Sequence, residues 1–123
     1  MLNTYKDLKV WQMAYKLALD VYRVTKRFPM DQRYGLSSQM QRAALSVPSN
    51  IAEGYGRRTR PDYLRSLFIA NGSLCELETQ VMLAVDLGYL SATESPGLQQ
   101  LLGDVERMLK ALIRSLERPN SKA

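Results

Sequence analysis

Apolar residues recur every three or four positions through four separate stretches of the chain, and this spacing predicts four amphipathic helices. No stretch shows the apolar–polar alternation of a half-buried strand. Short connectors between the helices predict an all-α fold, an antiparallel up-down-up-down four-helix bundle that forms one domain over residues 1–118. The helices are expected at about 5–28, 36–55, 61–87 and 95–117, and residues 119–123 are expected to fray.

The first predicted helix carries more apolar surface than one core requires. Written as a heptad with Leu8 at position a, apolar residues fill most of four adjacent positions, whereas a bundle helix usually needs about three. One of these rows consists of Val10, Leu17 and Val24. Because soluble monomers seldom expose large apolar patches, we expect this row to contact a second copy of the chain. A deeply buried helix in a tightly packed monomer is the alternative.

Pro48 stands inside the second predicted helix. It cannot donate a hydrogen bond to the carbonyl of Ala44, and its ring crowds that carbonyl, so we expect a kink nearby. Asn50 is close enough in sequence to help satisfy a freed carbonyl. Glu53 precedes Arg57 by four residues, the favourable order for an ion pair on a helix. The stretch therefore predicts a kinked helix end that a polar cluster holds in place.

Basic residues accumulate where the second predicted helix ends and the third begins. Arginine beside aromatic side chains, here Tyr55 and Tyr63, suits phosphates and unpaired bases. Basic residues on the polar side of the first helix are further candidates, although such rows are more often solvated surfaces. The candidate nucleic-acid-binding residues are Lys9, Lys16, Arg23, Arg27, Arg57, Arg58, Arg60 and Arg65. A second row, on the fourth helix, is partly neutralised by Glu106 and consists of Arg107, Lys110, Arg114 and Arg118.

Composition narrows the classes of function. The net charge of +5 and the pI near 9.5 are compatible with a polyanionic partner, and equally with a mildly basic soluble protein. The chain has no histidine and a single cysteine, Cys75, so one chain can form neither an ordinary zinc site nor an internal disulfide. It also lacks a P-loop and a GxGxxG motif. We expect no metal, no cofactor and no enzymatic activity.

The expected location is a reducing cytoplasm. A lone cysteine fits that compartment, and the first ten residues, MLNTYKDLKV, contain no apolar signal core. No run approaches the roughly 18 apolar residues that a membrane span needs, so we expect no membrane association.

Several blocks of the sequence resemble the four-helix-bundle family of proteins encoded in intervening sequences of bacterial 23S ribosomal RNA genes. The blocks are YKDLKVWQMA, FP followed by YGLSSQMQRAALSVPSNIAEGYGR, and DYLRSLFIANGSLCELETQV followed by LGYL. They cover nearly the whole chain, and the pattern S-V-P-x-N-I-A-E-G-x-x-R is specific. Gln32 departs from the family, which often has a glutamate there, and this puts an ion pair at that corner in doubt.

The resemblance implies properties that the periodicity does not show. The resemblance implies assembly as a ring-shaped homopentamer, as members of the family form. Relatives are accessory subunits of diversity-generating retroelements, in which a basic ring engages nucleic acid and a reverse transcriptase. The resemblance also favours RNA over DNA as the partner. It carries a shared motif onto Pro48, Asn50, Glu53, Gly54 and Arg57, which is not an established catalytic site and which we interpret as architectural.

Three functions remain open from the sequence. The first is a non-enzymatic homo-oligomer that binds RNA or DNA through its basic rows, mainly by phosphate contacts. The second is a protein-interaction scaffold or accessory subunit without nucleic-acid binding of its own. The third, an enzyme, has little support because no base, nucleophile or metal cluster accompanies Glu53.

Overall fold

Four long helices make up most of the part of the chain that the structure, a computed structural model, describes: residues 2–118. No strand occurs in that part, and the prediction of an all-α helical bundle is confirmed. The predicted frayed tail, residues 119–123, lies outside the described residues. The helices are α1 (Lys9–Thr25), α2 (Leu36–Tyr55), α3 (Arg60–Asp86) and α4 (Ser95–Glu117).

The helices pack in a closed cycle around one core. Each helix contacts its neighbours in the order α1, α2, α3, α4 and back to α1, and α2 with α3 is the most extensive pair. The diagonal pairs, α1 with α3 and α2 with α4, have no close backbone approach within residues 2–118. All four helices contribute fully buried side chains, including Leu17, Met40, Leu74 and Leu109. This order places α1 and α3 at opposite corners of the bundle.

The first helix is shorter than its periodicity predicts. Thr4 and Asp7 form a capping box, but they cap a single 3₁₀ turn, Tyr5–Asp7. Leu8 then adopts an extended conformation, so α1 begins at Lys9. Its regular hydrogen bonding ends at Thr25, and the chain leaves the helix through a turn before Pro29.

The apolar row assigned to a subunit contact belongs largely to the interior of the single chain. Val10 is 5% exposed and Leu17 is fully buried, because α1 turns this side toward the core that it shares with its neighbours. Val24 is half-buried beside α4. Val10 and Leu17 are therefore not available to a second copy, and their assignment as oligomer-contact residues was wrong. The alternative of a deeply buried helix describes this side of α1.

Pro48 does not break the second helix. It is buried, and α2 continues through it to Tyr55. The kink near Pro48 stays a prediction, but the helix clearly persists past the proline. Glu53 lies in the last turn of α2 and forms the predicted ion pair with Arg57, which lies two residues beyond the helix end.

The far end of α3 shows why Gly88 is a glycine. Gly88 has a φ of 78°, in the left-handed region that glycine adopts without strain. The N–H of Tyr89 then donates to the carbonyl of Ala84 at 2.9 Å, which closes the helix end. The resulting turn directs the chain into the connector that leads to α4.

Candidate nucleic-acid interface

The antiparallel topology collects most of the excess positive charge at one end of the bundle. The start of α1, the end of α2, the start of α3 and the end of α4 meet there, in residues 4–9, 53–65 and 110–118. These segments contain nine basic and four acidic residues. At the opposite end, residues 26–35 and 86–97 contain three of each sign. We call the first end the arginine end, after Arg57, Arg58, Arg60 and Arg65.

The four residues that give the arginine end its name differ in their neighbours. Arg57 pairs with Glu53, with Nη2 3.2 Å from Oε1. Arg60 donates from Nη1 to the carbonyl oxygen of Arg118 at 3.4 Å and so links the start of α3 to the end of α4. Within residues 2–118, Arg58 and Arg65 have no carboxylate within 4 Å. These two guanidinium groups are exposed and carry full charge toward solvent.

A close approach between α2 and α3 holds the arginine end together. At Gly54, an added Cβ would lie 2.9 Å from Cβ of Ser66 and 2.9 Å from Cδ1 of Tyr63. Such distances are far below van der Waals contact, so only glycine lets the two helices come this near. Gly54 therefore fixes where α3 starts relative to α2, and with it the placement of the arginines between them.

The other motif residues also have structural partners. Nδ2 of Asn50 donates to the carbonyl oxygen of Ser46 at 2.8 Å and to its Oγ at 2.9 Å. The hydroxyl of Ser73 donates to the same Oγ at 2.8 Å, which ties α3 to α2. Together with buried Pro48, these contacts give the motif an architectural explanation. The freed carbonyl expected at Ala44 does not receive the Asn50 side chain, which bonds to Ser46, two residues further along the chain.

Tyr55 and Tyr63 face each other across the α2–α3 junction. Their ring centroids lie 6.3 Å apart with an interplanar angle of 88°, an edge-to-face pair. Burial raises the pKa of Tyr63, and the nearby Tyr55 raises it further. Both rings are half-buried. They therefore serve more as a brace for the junction than as a free platform on which bases could stack.

Three basic candidates, two on α1 and one in the turn that follows it, stand beside acidic side chains. Lys16 lies 3.0 Å from Asp20, and Arg23 lies 3.8 Å from the same carboxylate. Arg27 pairs with Glu94 at the start of α4. These residues line a groove of about 490 Å³ between α1 and α4, whose floor includes Val24 and Leu98. We call Lys16, Arg23 and Arg27 the α1 row.

The candidates thus divide into two groups. Lys9 opens α1 at the arginine end and has no carboxylate within 4 Å among the described residues. It joins the four arginines there, whereas the α1 row runs away along the side of the bundle. The eight candidates therefore do not form one continuous surface.

The end of α4 adds basic residues that the candidate set omitted. Arg114 and Arg118 reach the arginine end, and Arg114 has no carboxylate within 4 Å in residues 2–118. Lys110 pairs with Glu106 at 3.5 Å, as the spacing predicts, and Arg107 pairs with Asp104. The row was visible in the sequence, but its nearness to Arg60 depends on the packing of α4 against α3.

Residues 2–118 contain no group of three acidic or cysteine side chains arranged to hold a metal ion. In the same range, no helix combines the length and the apolar content needed to cross a bilayer.

Comparison with known proteins shows which families share this architecture. The model of the family described as 23S rRNA-intervening sequence protein matches residues 6–111. Among solved structures, the chain is similar to a protein of unknown function from the S23 ribosomal protein family of Bacteroides thetaiotaomicron. That match has a TM-score of 0.79 and 21% identity, and it covers 85% of this chain and 95% of the other. No curated protein matches the chain significantly.

Proposed function

The chain belongs to the 23S rRNA-intervening sequence protein family, and from this premise we propose that it is a non-enzymatic, homo-oligomeric protein that binds nucleic acid through its arginine end. RNA is the proposed partner in preference to DNA, in keeping with the family's description. The proposed compartment is the cytoplasm. The proposed assembly is a homopentamer, as the resemblance to ring-forming relatives implies.

One observation carries the proposal: the excess positive charge is concentrated where it is least neutralised. Arg58, Arg65 and Arg114 are exposed at the arginine end without a carboxylate within 4 Å in residues 2–118. Guanidinium groups offer paired donors that match phosphate oxygens. Since these groups would contact the backbone rather than base edges, binding would be weakly specific for sequence.

Oligomerisation would strengthen such binding. A ring repeats the arginine end in every copy, and a polyanion that reaches several copies gains avidity without any new type of contact. Phosphate contacts release counterions, so affinity would fall steeply as salt rises.

A salt titration with a structured RNA in a filter-binding assay tests the proposal. We expect retention at about 50 mM salt and a linear fall of log affinity with log salt concentration. Failure of the wild-type protein to retain RNA at the lowest salt would contradict RNA binding. A single-stranded DNA of equal length tests the preference for RNA.

A matched pair of charge reversals then locates the surface. One variant carries Arg57→Glu, Arg58→Glu and Arg60→Glu, and the other carries the same reversal at the three positions of the α1 row. Both change the net charge equally, so a general electrostatic effect would weaken binding to the same extent in each. Binding through the arginine end predicts a larger loss in the first variant, with assembly unchanged in both by light scattering.

A protein-interaction scaffold is the second candidate function. It is favoured by the large apolar side chains exposed on α3, among them Phe68, Ile69 and Met82. In this case the first variant would keep its protein partner, for which a reverse transcriptase is the class that the resemblance implies. Intact protein binding together with absent RNA binding in the wild type would support the scaffold.

A further inference from the structure

The outer side of α3 is more apolar than a solvent-facing helix requires. Phe68, Ile69, Met82 and Leu83 are each about half exposed, between 48% and 59%. The same helix buries another set of apolar side chains against α2 and α4, so α3 is apolar on both sides. A helix of this kind is normally covered on both sides. We call this exposed surface, Phe68–Leu83, the α3 ridge.

Gly72 lies near the middle of the α3 ridge, and no contact within the single chain explains why this position is a glycine. A Cβ added at Gly72 would meet no atom within 4 Å. No neighbouring helix of the same bundle therefore approaches Gly72 closely, unlike the approach at Gly54. Glycine disfavours a helix interior, and a backbone that approaches from outside would explain its use here.

A second exposed apolar surface lies between α1 and α2. Tyr15 and Leu45 are each 50% exposed and line one groove of about 220 Å³ together with Trp11 and Pro48. Tyr15 stacks on Trp11, with ring centroids 5.3 Å apart. Leu19 and Tyr22 extend this apolar surface one and two turns along α1. We call it the aromatic groove.

The two surfaces differ in charge. Residues 66–106 contain six acidic residues and no lysine or arginine. Glu76 is exposed within the span of the α3 ridge and Asp86 follows it, whereas Arg65 borders the ridge near Ile69 at its start. Lys26 follows Tyr22 by four residues and Arg42 precedes Leu45 by three, about one helical turn in each case, and both are exposed without a carboxylate within 4 Å in residues 2–118. An acidic ridge facing its own copy would bring like charges together, whereas a ridge facing the groove pairs opposite charges.

We propose that the α3 ridge of one copy docks into the aromatic groove of a second copy, in a head-to-tail contact between different surfaces. The occupant is a copy of this chain because the same molecule carries both surfaces, with matching apolar character and opposite charge. The two surfaces lie on different sides of the bundle, since α3 is diagonal to α1. A head-to-tail contact of this kind covers both surfaces in every copy only when the assembly closes into a ring.

This inference rests on the proposed self-assembly and names its surfaces. It replaces Val10 and Leu17, which are buried, with side chains that are exposed at the surface. It does not depend on RNA binding.

A mixing experiment tests the contact. Variant A carries Phe68→Lys and Leu83→Lys on the α3 ridge, and variant B carries Tyr15→Glu and Leu19→Glu in the aromatic groove. Variant A gives the ridge positive charge, like that beside the groove, and variant B gives the groove negative charge, like that of the ridge. We expect each variant alone to be monomeric by light scattering. We expect their equimolar mixture to form a complex that contains both chains, because A keeps an intact groove and B an intact ridge.

Controls separate loss of contact from loss of fold. Met30 is 75% exposed on the connector before α2, outside both surfaces, so Met30→Lys and Met30→Glu should assemble like the wild type. Circular dichroism should show native helicity in A and B. Cys75, the chain's single cysteine, is exposed on the ridge, so a thiol reagent should label it more slowly in the wild-type assembly than in variant B.

Each contrary result has a distinct meaning. Self-association of B alone would overturn the head-to-tail contact and indicate ridge-to-ridge pairing. A wild-type-like assembly of A would overturn the role of the ridge while leaving the proposed oligomer intact. A wild-type protein that is monomeric at micromolar concentration would overturn the inference together with the proposed self-assembly, and would leave another protein as the occupant of the ridge.

Discussion

The arginine end and the α1 row contain the same kinds of side chain in different surroundings. At the arginine end, Arg58 and Arg65 have no carboxylate within 4 Å in the described chain. In the α1 row, Lys16 and Arg23 share Asp20, and Arg27 pairs with Glu94. The packing beneath differs as well: Gly54 brings α2 and α3 close together, whereas an open groove separates α1 from α4.

The difference teaches that a count of basic residues does not locate a polyanion site. Exposed ion pairs add little to stability, but they do reduce the charge that a phosphate meets. The arginine end combines unneutralised charge with a backbone that tight packing holds in place, and the α1 row has neither property. The four predictions below test that contrast, from the largest expected effect to the smallest.

The strongest test concerns the tight junction beneath the arginine end. Gly54→Leu forces a side chain into Ser66 and Tyr63, so we expect the free energy of unfolding to fall by about 3 kcal/mol. Urea denaturation at one fixed protein concentration measures it. The control is Gly103→Ala on α4, where the nearest atom is 3.9 Å away, and a gain of up to about 1 kcal/mol is expected from helix propensity. Equal effects at the two positions would mean that the junction is not tight.

The polar network between α2 and α3 gives the next largest effect. Asn50→Ala removes two hydrogen bonds to Ser46, so we expect a loss of about 1–2 kcal/mol in the free energy of unfolding. Gln100→Ala is the matched control, because Gln100 donates one exposed bond to Asp104 beside the α1–α4 groove. That change should stay within about 0.5 kcal/mol. Thermal or urea unfolding distinguishes the two, and a neutral Asn50→Ala would remove the network from the explanation of the motif.

Removal of single acidic side chains tests whether ion pairing keeps the basic residues of the α1 row from binding RNA. Asp20→Asn releases two cations and Glu53→Gln releases one, with the same change in net charge. We expect the first to tighten RNA binding more, with a salt slope steeper by about 1, since each added phosphate contact contributes roughly that amount. A filter-binding titration measures both slopes. If neither variant changed the affinity for RNA or its salt slope, the two regions would differ in RNA binding because of their positions and not because of their ion pairs.

The smallest effect comes from the tyrosine brace. Burial raises the pKa of Tyr63 above 10.0, its ordinary value. The folded protein then holds this proton more tightly than the unfolded chain, so the contribution to stability is complete below pH 10.0 and is lost as pH rises through the raised pKa. Unfolding curves between about pH 9 and pH 11 should show this loss, and Tyr63→Phe should reduce it. An identical pH dependence in the two proteins would contradict the assignment.

Local patterns in the sequence predict the helices well because each is amphipathic over several turns. The exception is the start of α1, where Thr4 and Asp7 cap a 3₁₀ turn before the helix proper. The spacing of Thr4 and Asp7 is that of a capping box, but it does not show that Leu8 interrupts the helix. The glycine cap at Gly88 was predictable for the opposite reason, because its requirement is local.

The arrangement of surfaces is not predictable from one helix at a time. Val10 and Leu17 form a row that looks surplus on a helical wheel, yet two neighbouring helices and the core behind them cover it. The exposed apolar side chains lie instead on the outer side of α3 and, on α1, at Tyr15, Leu19 and Tyr22 of the aromatic groove. Likewise, Arg60 meets the carbonyl of Arg118 across 58 residues of sequence, a contact that only the packing of α3 and α4 creates.

The uneven spread of charge between the two ends of the bundle has a consequence for approach as well as for contact. Five net positive charges at one end and none at the other give the molecule an electric dipole along its length. A distant polyanion would therefore rotate the molecule before touching it, so that encounters begin end-on. At physiological ionic strength this orienting torque decays over a distance of about 8 Å, so dilute buffer would accelerate capture far more than it changes the final pose.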